Sequence, residues 1–132
     1  MKDPNNPCIF CSVRKDELIF ENNLAYASTD SYPVSKLHSL VVPKRCIKNF
    51  FELNDQEILA CNDLIKKLQK KILSEDNTVE GFNIGTNSGK AAGQSIFHCH
   101  IHVIPRRKGD VKNPQGGVRS VIPSKQHYIR KK

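Results

Sequence analysis

Three histidines at alternate positions, His98, His100 and His102, are the densest cluster of chemically versatile side chains in the sequence. Imidazole titrates near neutral pH and serves as nucleophile, acid, base or metal ligand. The histidines belong to His98-Cys99-His100-Ile101-His102-Val103-Ile104-Pro105, whose other members are mostly apolar and β-preferring. Period two is the strand period, so a strand here places the three imidazoles on one face and sends Cys99, Ile101 and Val103 into a core. A helix would scatter them. A solvated edge-strand face is the bland alternative, but such faces usually carry Lys, Thr or Glu.

The segment before the histidines is Asn87-Ser88-Gly89-Lys90-Ala91-Ala92-Gly93-Gln94-Ser95. A glycine-containing loop of small residues brings backbone close to a ligand and can offer N–H groups to an anion. Asn-x-Gly, then Ala-Gly-Gln-Ser, then His-x-His-x-His and two apolar residues together resemble the histidine triad superfamily of nucleotide hydrolases and transferases.

Elsewhere the sulfur ligands stand out. Cys8 and Cys11 form Cys-x-x-Cys, which can share one metal in a tight turn. A redox pair or two small core residues are the alternatives, although no thioredoxin-like context surrounds them. The resemblance adds a metal set. Cys46 follows His38-Ser39-Leu40-Val41-Val42-Pro43-Lys44-Arg45 at a position where many superfamily members carry a second histidine. By resemblance, Cys8, Cys11, Cys46 and His98 would hold a structural Zn2+, a closed set of three thiolates and one imidazole.

The resemblance also implies the chemistry. His100 would attack an α-phosphorus and become nucleotidyl-histidine, and water would then release a nucleoside monophosphate. His102 would donate to a non-bridging oxygen, with His38 close by. Ser95 would assist the leaving group. Asn87, Gln94 and the backbone near Ser95 would hold phosphates, Asp30 the ribose, and Phe10 and Val13 a purine base. The substrate would be a dinucleoside polyphosphate or a nucleoside phosphoramidate. A nucleotidyl transferase and a nucleotide-sensing module with incidental turnover are the competing functions. Superfamily members are commonly homodimers. No Walker loop or dinucleotide fingerprint occurs, so a nucleotide is substrate here, not cofactor.

Several elements must position these groups. Leu18–Phe20 and Leu24–Ser28 read as strands joined by a turn at Glu21-Asn22-Asn23. His38–Pro43 is an apolar strand closed by proline. Asn54 caps a long helix with Glu57 three residues on, followed by Ile58, Cys61, Ile65, Leu68 and Ile72, with Leu59, Leu64 and Leu73 widening the stripe. Glu80–Thr86 is the next strand, and Arg106–Gly117 reads as loop. The expectation is an α+β, histidine-triad-like fold: about five mainly antiparallel strands, one long helix and a short second helical segment.

At 132 residues the chain forms one domain, with residues 1–110 as its body and 111–132 as a basic C-terminal extension. The net charge of +8 is confined to the end: residues 1–105 carry 12 basic and 12 acidic groups, and residues 106–132 carry nine basic groups and Asp110. Such a tail either attracts an acidic partner or is a solubilising, partly disordered end. Val118–Ile122 is a candidate short strand, and Arg119 a candidate to reach the active site of this subunit or its neighbour. Nucleic-acid binding rests on charge alone, without a recognition helix or aromatic platform. No signal peptide or membrane span is read, and five cysteines without a secretory mark fit a reducing, cytoplasmic setting.

Overall fold

The computed structural model describes residues 8–131. Five strands form one antiparallel sheet: β1 (Leu18–Glu21), β2 (Ala25–Thr29), β3 (Ser39–Pro43), β4 (Val79–Gly85) and β5 (Ile101–Arg107), in the spatial order β1-β2-β3-β5-β4. A single helix, α1 (Asp55–Glu75), joins β3 to β4 and packs on one face. The turn between β1 and β2 is closed by Asn22, whose side-chain oxygen accepts from the N–H groups of Leu24 and Ala25.

Alternation decides what each face holds. Ala25 and Ala27 of β2, Val41 of β3, and Ile101 and Val103 of β5 point to α1, where they meet Cys61, Leu64, Leu68 and Ile72. Leu64 and Leu68 are fully buried, worth about 1.5–3 kcal/mol each. The helix stripe is therefore narrower than the apolar pattern implies: Ile58, Leu59 and Leu73 are exposed, and the buried line runs Glu57, Cys61, Leu64, Leu68, Ile72 at helical spacing. Tyr26, Leu40 and Val42 point the other way and pack with Phe10, Val13 and Leu18. His102, paired with Leu40 across β3 and β5, lies on this second face.

Both halves of the capping box form. Asn54 Oδ1 accepts from Glu57 N–H at 2.9 Å, and Glu57 Oε1 accepts from Asn54 N–H at 3.0 Å. Glu57 is buried because Arg45 reaches it with two N–H groups, at 2.8 and 3.1 Å, while also donating to the Glu52 carbonyl. The pair joins the helix N-terminus to the turn that carries Cys46.

Two expected elements differ. The strand read from His98 begins at Ile101, because the chain before it bends to bring His98 under the end of β3; it also continues to Arg107, past the point where loop was expected. Val118–Ile122 is not a strand. The tail forms 3-10 turns at Gly117–Val121 and Pro123–Lys125 and folds back on itself. Gln115 Nε2 donates to the Tyr128 carbonyl, and Arg119 donates to the carbonyls of Lys125 and Gln126 while lying 4.6 Å from the Tyr128 ring centre. Gly116 makes this closure possible: its φ is +93°, and a Cβ there would sit 2.0 Å from the Gln126 oxygen. Arg119 is thus spent on the tail's own backbone, and does not reach toward the histidines of its own chain. No helix among the described residues is long and apolar enough to cross a membrane.

Arg45 holds the Glu57 carboxyl below its ordinary range, first through the side-chain hydrogen bond. A depressed folded-state value means that the stabilisation is present above the unfolded pKa of 4.5 and is lost as pH falls through the folded value. Glu57→Gln keeps most of the cap and removes the charge. Urea denaturation at pH 7 should show a loss of about 1–2 kcal/mol, discounted because Arg45 is half exposed. The gap from wild type should narrow below about pH 4; an equal gap at both pH values would contradict this role.

Candidate functional site

The three histidines divide into different environments. His98 is fully buried. Its Nε2–H donates to the Pro43 carbonyl at the end of β3, at 2.8 Å. That bond places the lone pair on Nδ1, which lies 3.2 Å from Cys8 Sγ and 3.6 Å from Cys11 Sγ. Cys46 Sγ completes a group of four ligand atoms, all within 4.8 Å of one another. Zn–S and Zn–N bonds of about 2.3 and 2.1 Å put tetrahedral ligand atoms roughly 3.6 Å apart, so the set fits zinc. The burial is also right: His98 neutral, pushed below the ordinary imidazole range first by desolvation, is the ligating form. A tight turn (Cys11 N–H to the Cys8 carbonyl) brings the first two thiols together, and Cys99 N–H donating to the Ile47 carbonyl ties the Cys46 turn to the histidine segment. No disulfide joins any of the five cysteines, all of which lie among the described residues. Cys61 and Cys99 lie buried in the core, where desolvation pushes both thiols up, to about 11 and about 12.

His100 is held from two sides. Its Nδ1–H donates to the His98 carbonyl at 2.8 Å, and its own carbonyl accepts from Thr86 Oγ1 at 2.7 Å. With the proton on Nδ1, the lone pair of His100 is on Nε2. The ring lies 4.7 Å from that of Phe10 and 5.4 Å from that of His102.

His102 is oriented by a third chain segment. Val34 N–H donates to His38 Nδ1 at 3.0 Å, so the proton of neutral His38 sits on Nε2. That N–H faces His102 Nδ1 at 2.9 Å and Asp30 Oδ2 at 3.3 Å. His102 then accepts at Nδ1 and carries its proton on Nε2. Asp30, His38 and His102 are close enough together to ligate a cation. The Val34 bond argues against it, because His38 has no lone pair left on Nε2; the trio is a hydrogen-bonded chain. Burial is the first cause that lowers the pKa of both His38 and His102, and the Asp30 charge opposes it in both. Leu37, at φ +73°, turns the chain into this position just before His38.

A cavity of about 330 Å3 opens over these groups, within the small-molecule range. Phe10 and Val13 wall it, Tyr26 and Leu40 floor it, and Asp30, Asn87, Ser95, His100 and His102 line it. Asp30 Oδ1 accepts from Tyr32 N–H, which aims the carboxylate. Gln94 is placed elsewhere. It is buried, its carbonyl accepts from Gly89 N–H, and its amide donates to the Lys48 and Ile96 carbonyls. The expected offering of loop amides is also reduced: the N–H groups of Gly89, Ala92, Gly93 and Gln94 bond within the loop. The loop therefore presents Asn87 and Ser95 to the cavity.

Sequence reasoning missed three supports. Val34 fixes a tautomer through its backbone. Tyr26 OH donates to the Phe10 carbonyl at 2.7 Å and pins the Cys-x-x-Cys segment over the cavity. Thr86 clamps His100. Of these, only Tyr26, an aromatic with a hydroxyl between the two buried alanines of β2, left a signal. His127, in the basic tail, lies on the surface, bonded to the Asn113 carbonyl.

The HIT domain family model matches residues 12–109. A Candida albicans adenosine 5′-monophosphoramidase is 33% identical over 76% of this chain and 70% of that one. A HIT family protein from Bacillus subtilis superimposes with a TM-score of 0.71 at 31% identity, over 91% of this chain and 97% of that one. A zinc-bound histidine triad protein from Mycobacterium smegmatis gives 0.65 at 30% identity, over 70% of this chain and 67% of that one. With its five-stranded antiparallel sheet, single helix and His-x-His-x-His segment, the chain belongs to the HIT, or histidine triad, family.

Proposed function

We propose that this protein hydrolyses purine nucleotide derivatives at the α-phosphate, with His100 as nucleophile. The observation that carries the reading is the orientation of His100: its Nδ1–H is committed to the His98 carbonyl, so Nε2 is the ring nitrogen left for the cavity. Neutral imidazole is a good nucleophile at pH 7 and a good leaving group from phosphorus. An Nε2–P bond forms as the bond to the leaving group breaks. The leaving group departs with a proton, assisted by the Ser95 hydroxyl. Water then attacks phosphorus, the Nε2–P bond breaks, and a nucleoside monophosphate is released.

His102 supports this reading as the electrostatic partner. Because Nδ1 accepts from His38, its Nε2–H is available to a non-bridging oxygen, where negative charge gathers in the transition state. Phe10 and Val13 would hold the base against the apolar floor, Asp30 would accept from the ribose hydroxyls, and Asn87 would hold phosphate oxygens. Gln94 would act by bracing the loop. The similarity to a monophosphoramidase favours hydrolysis over nucleotidyl transfer. Cys8, Cys11, Cys46 and His98 would hold zinc, which would supply a structural crosslink between the N-terminal turn, β3 and the histidine segment. A second copy of the chain is the proposed partner, and a reducing, cytoplasmic compartment the proposed setting.

The direct test is release of AMP from adenosine phosphoramidate, diadenosine tri- and tetraphosphate and a nucleotide sugar. His100→Ala should lower kcat by about 10^4 or more while retaining AMP binding. Equal nucleotide binding by wild type and variant, with turnover by neither, would instead make the protein a sensor.

The imidazole chain predicts a second result. Asp30 raises the pKa of both His38 and His102, so Asp30→Asn should move their titration, followed by NMR of labelled histidine, to lower pH. Unchanged midpoints would show that Asp30 does not face the pair in solution.

Metal analysis supplies a third. Protein grown with zinc should carry one zinc per chain, and Cys46→Ala should weaken its retention against a chelator at least about tenfold. Chelation should lower the thermal midpoint of wild type. Zinc-free protein with an unchanged midpoint would exclude the structural role.

A further inference from the structure

Leu18, Ser28, Leu40 and His102 are successive partners across β1, β2, β3 and β5, so all four stand on the face that bears the cavity. Strands about 4.8 Å apart put Ser28 roughly 10 Å from His102, and Leu18 one strand further. A nucleotide whose phosphorus lies at His100 therefore extends its base along this row, toward the start of β1. Two polar groups at that end have no part in the chemistry above. They are the hydroxyl of Ser28 and the carboxylate of Glu17, and both residues line the cavity.

Ser28 is only 4% exposed, and what remains open faces the cavity. Among the described residues nothing bonds its hydroxyl. Tyr26, its neighbour on the same strand face, spends its own hydroxyl on the Phe10 carbonyl. Glu17 is fixed but not spent. Its backbone carbonyl accepts from Thr29 N–H at 2.9 Å, and its Oε2 accepts from the Ser31 hydroxyl at 2.7 Å. Arg14 is the one Lys or Arg in the lining, and it pairs with Asp16 instead. A carboxylate oxygen has two lone pairs, so Oε1 is open and Oε2 can accept once more.

Two acceptors side by side meet the purines differently. Guanine presents N1–H and N2–H together, one for each oxygen. Adenine presents an N6–H beside the N1 lone pair, which the second carboxylate oxygen repels. We propose that Glu17, held by Ser31, makes the base end of the cavity select guanine over adenine, while the Ser28 hydroxyl bonds the purine ring from the floor. The proposal rests on the hydrolase reading above and names its substrate class, guanosine derivatives. Adenosine compounds remain substrates, with lower kcat/KM.

The experiment compares the 5′-phosphoramidates of guanosine, inosine and adenosine. Inosine keeps N1–H and lacks the N2 amine. Wild type should rank guanosine over inosine over adenosine, with guanosine at least about tenfold above adenosine in kcat/KM. Glu17→Gln should lower that ratio at least about tenfold, because its amide can accept from N6–H and donate to N1 of adenine. Ser28→Ala should lower kcat/KM for all three and leave their ranking. Competing substrates meet the same protein, so the ratio is unaffected by any loss of folded enzyme. A Glu17 that merely anchors Ser31 would change all three by one factor. A ratio near one in wild type, or a ratio that Glu17→Gln leaves unmoved, would overturn the selection and leave hydrolysis standing. If none of the three is cleaved, the hydrolase reading falls, and equilibrium binding of GMP and AMP decides this proposal: a tenfold preference for GMP that Glu17→Gln abolishes supports it, and equal binding overturns it.

Discussion

The hydrogen bond from His98 Nε2–H to the Pro43 carbonyl organises this molecule. It buries an imidazole completely and removes any choice about where its proton sits. The free Nδ1 is thereby given to the thiols of Cys8 and Cys11, and the His98 carbonyl is turned to receive His100. One residue thus joins the metal-competent cluster to the proposed nucleophile. Leaving either group of a fully buried imidazole unpaired would cost about 1–3 kcal/mol. Among the described residues no buried side-chain nitrogen or oxygen lacks a partner.

A second set of bonds reaches the same face from the segment before β3. Backbone Val34 sets His38, His38 sets His102, and Asp30 faces both. The two chains converge on neighbouring rings and give them opposite roles. His100 presents a lone pair and His102 presents a proton. Two chemically identical side chains two residues apart differ because a backbone carbonyl meets the Nδ1 of one and an imidazole N–H meets the Nδ1 of the other. Catalysis by positioning and electrostatics needs this pre-set arrangement more than it needs any unusual acidity.

Much of the layout was legible in the sequence because it is periodic. The alternation in Ile101–Val103 and the stripe of α1 state directly which atoms leave water. Cys8, Cys11, Cys46 and His98 were legible as types that bind metal, and the structure brings all four together. The supports were not legible. Val34 acts through an N–H that every residue but proline has, and Pro43 through a carbonyl that every residue has. Gln94 looked like a ligand for phosphate because its amide is polar and near the histidines. Burial instead commits that amide to the Lys48 and Ile96 carbonyls, which ties the loop to the turn after β3. The tail misled for a related reason. Its charge pattern reads as solvated chain, while its closure depends on Gly116, on Arg119 bonding to two carbonyls, and on Tyr128 beneath that arginine, contacts that no period announces.

The most direct measurement is to mix the protein with an adenosine phosphoramidate, quench within the time of a single turnover and locate any covalent adduct by peptide mass spectrometry. A histidine whose Nε2 is the nucleophile must carry the nucleotide between the two displacements. The account predicts one AMP bound through an acid-labile bond to the peptide containing His100, appearing before free AMP and absent in His100→Ala. Rapid AMP release with no adduct on that peptide, or an adduct on His102 or Ser95 instead, would contradict it.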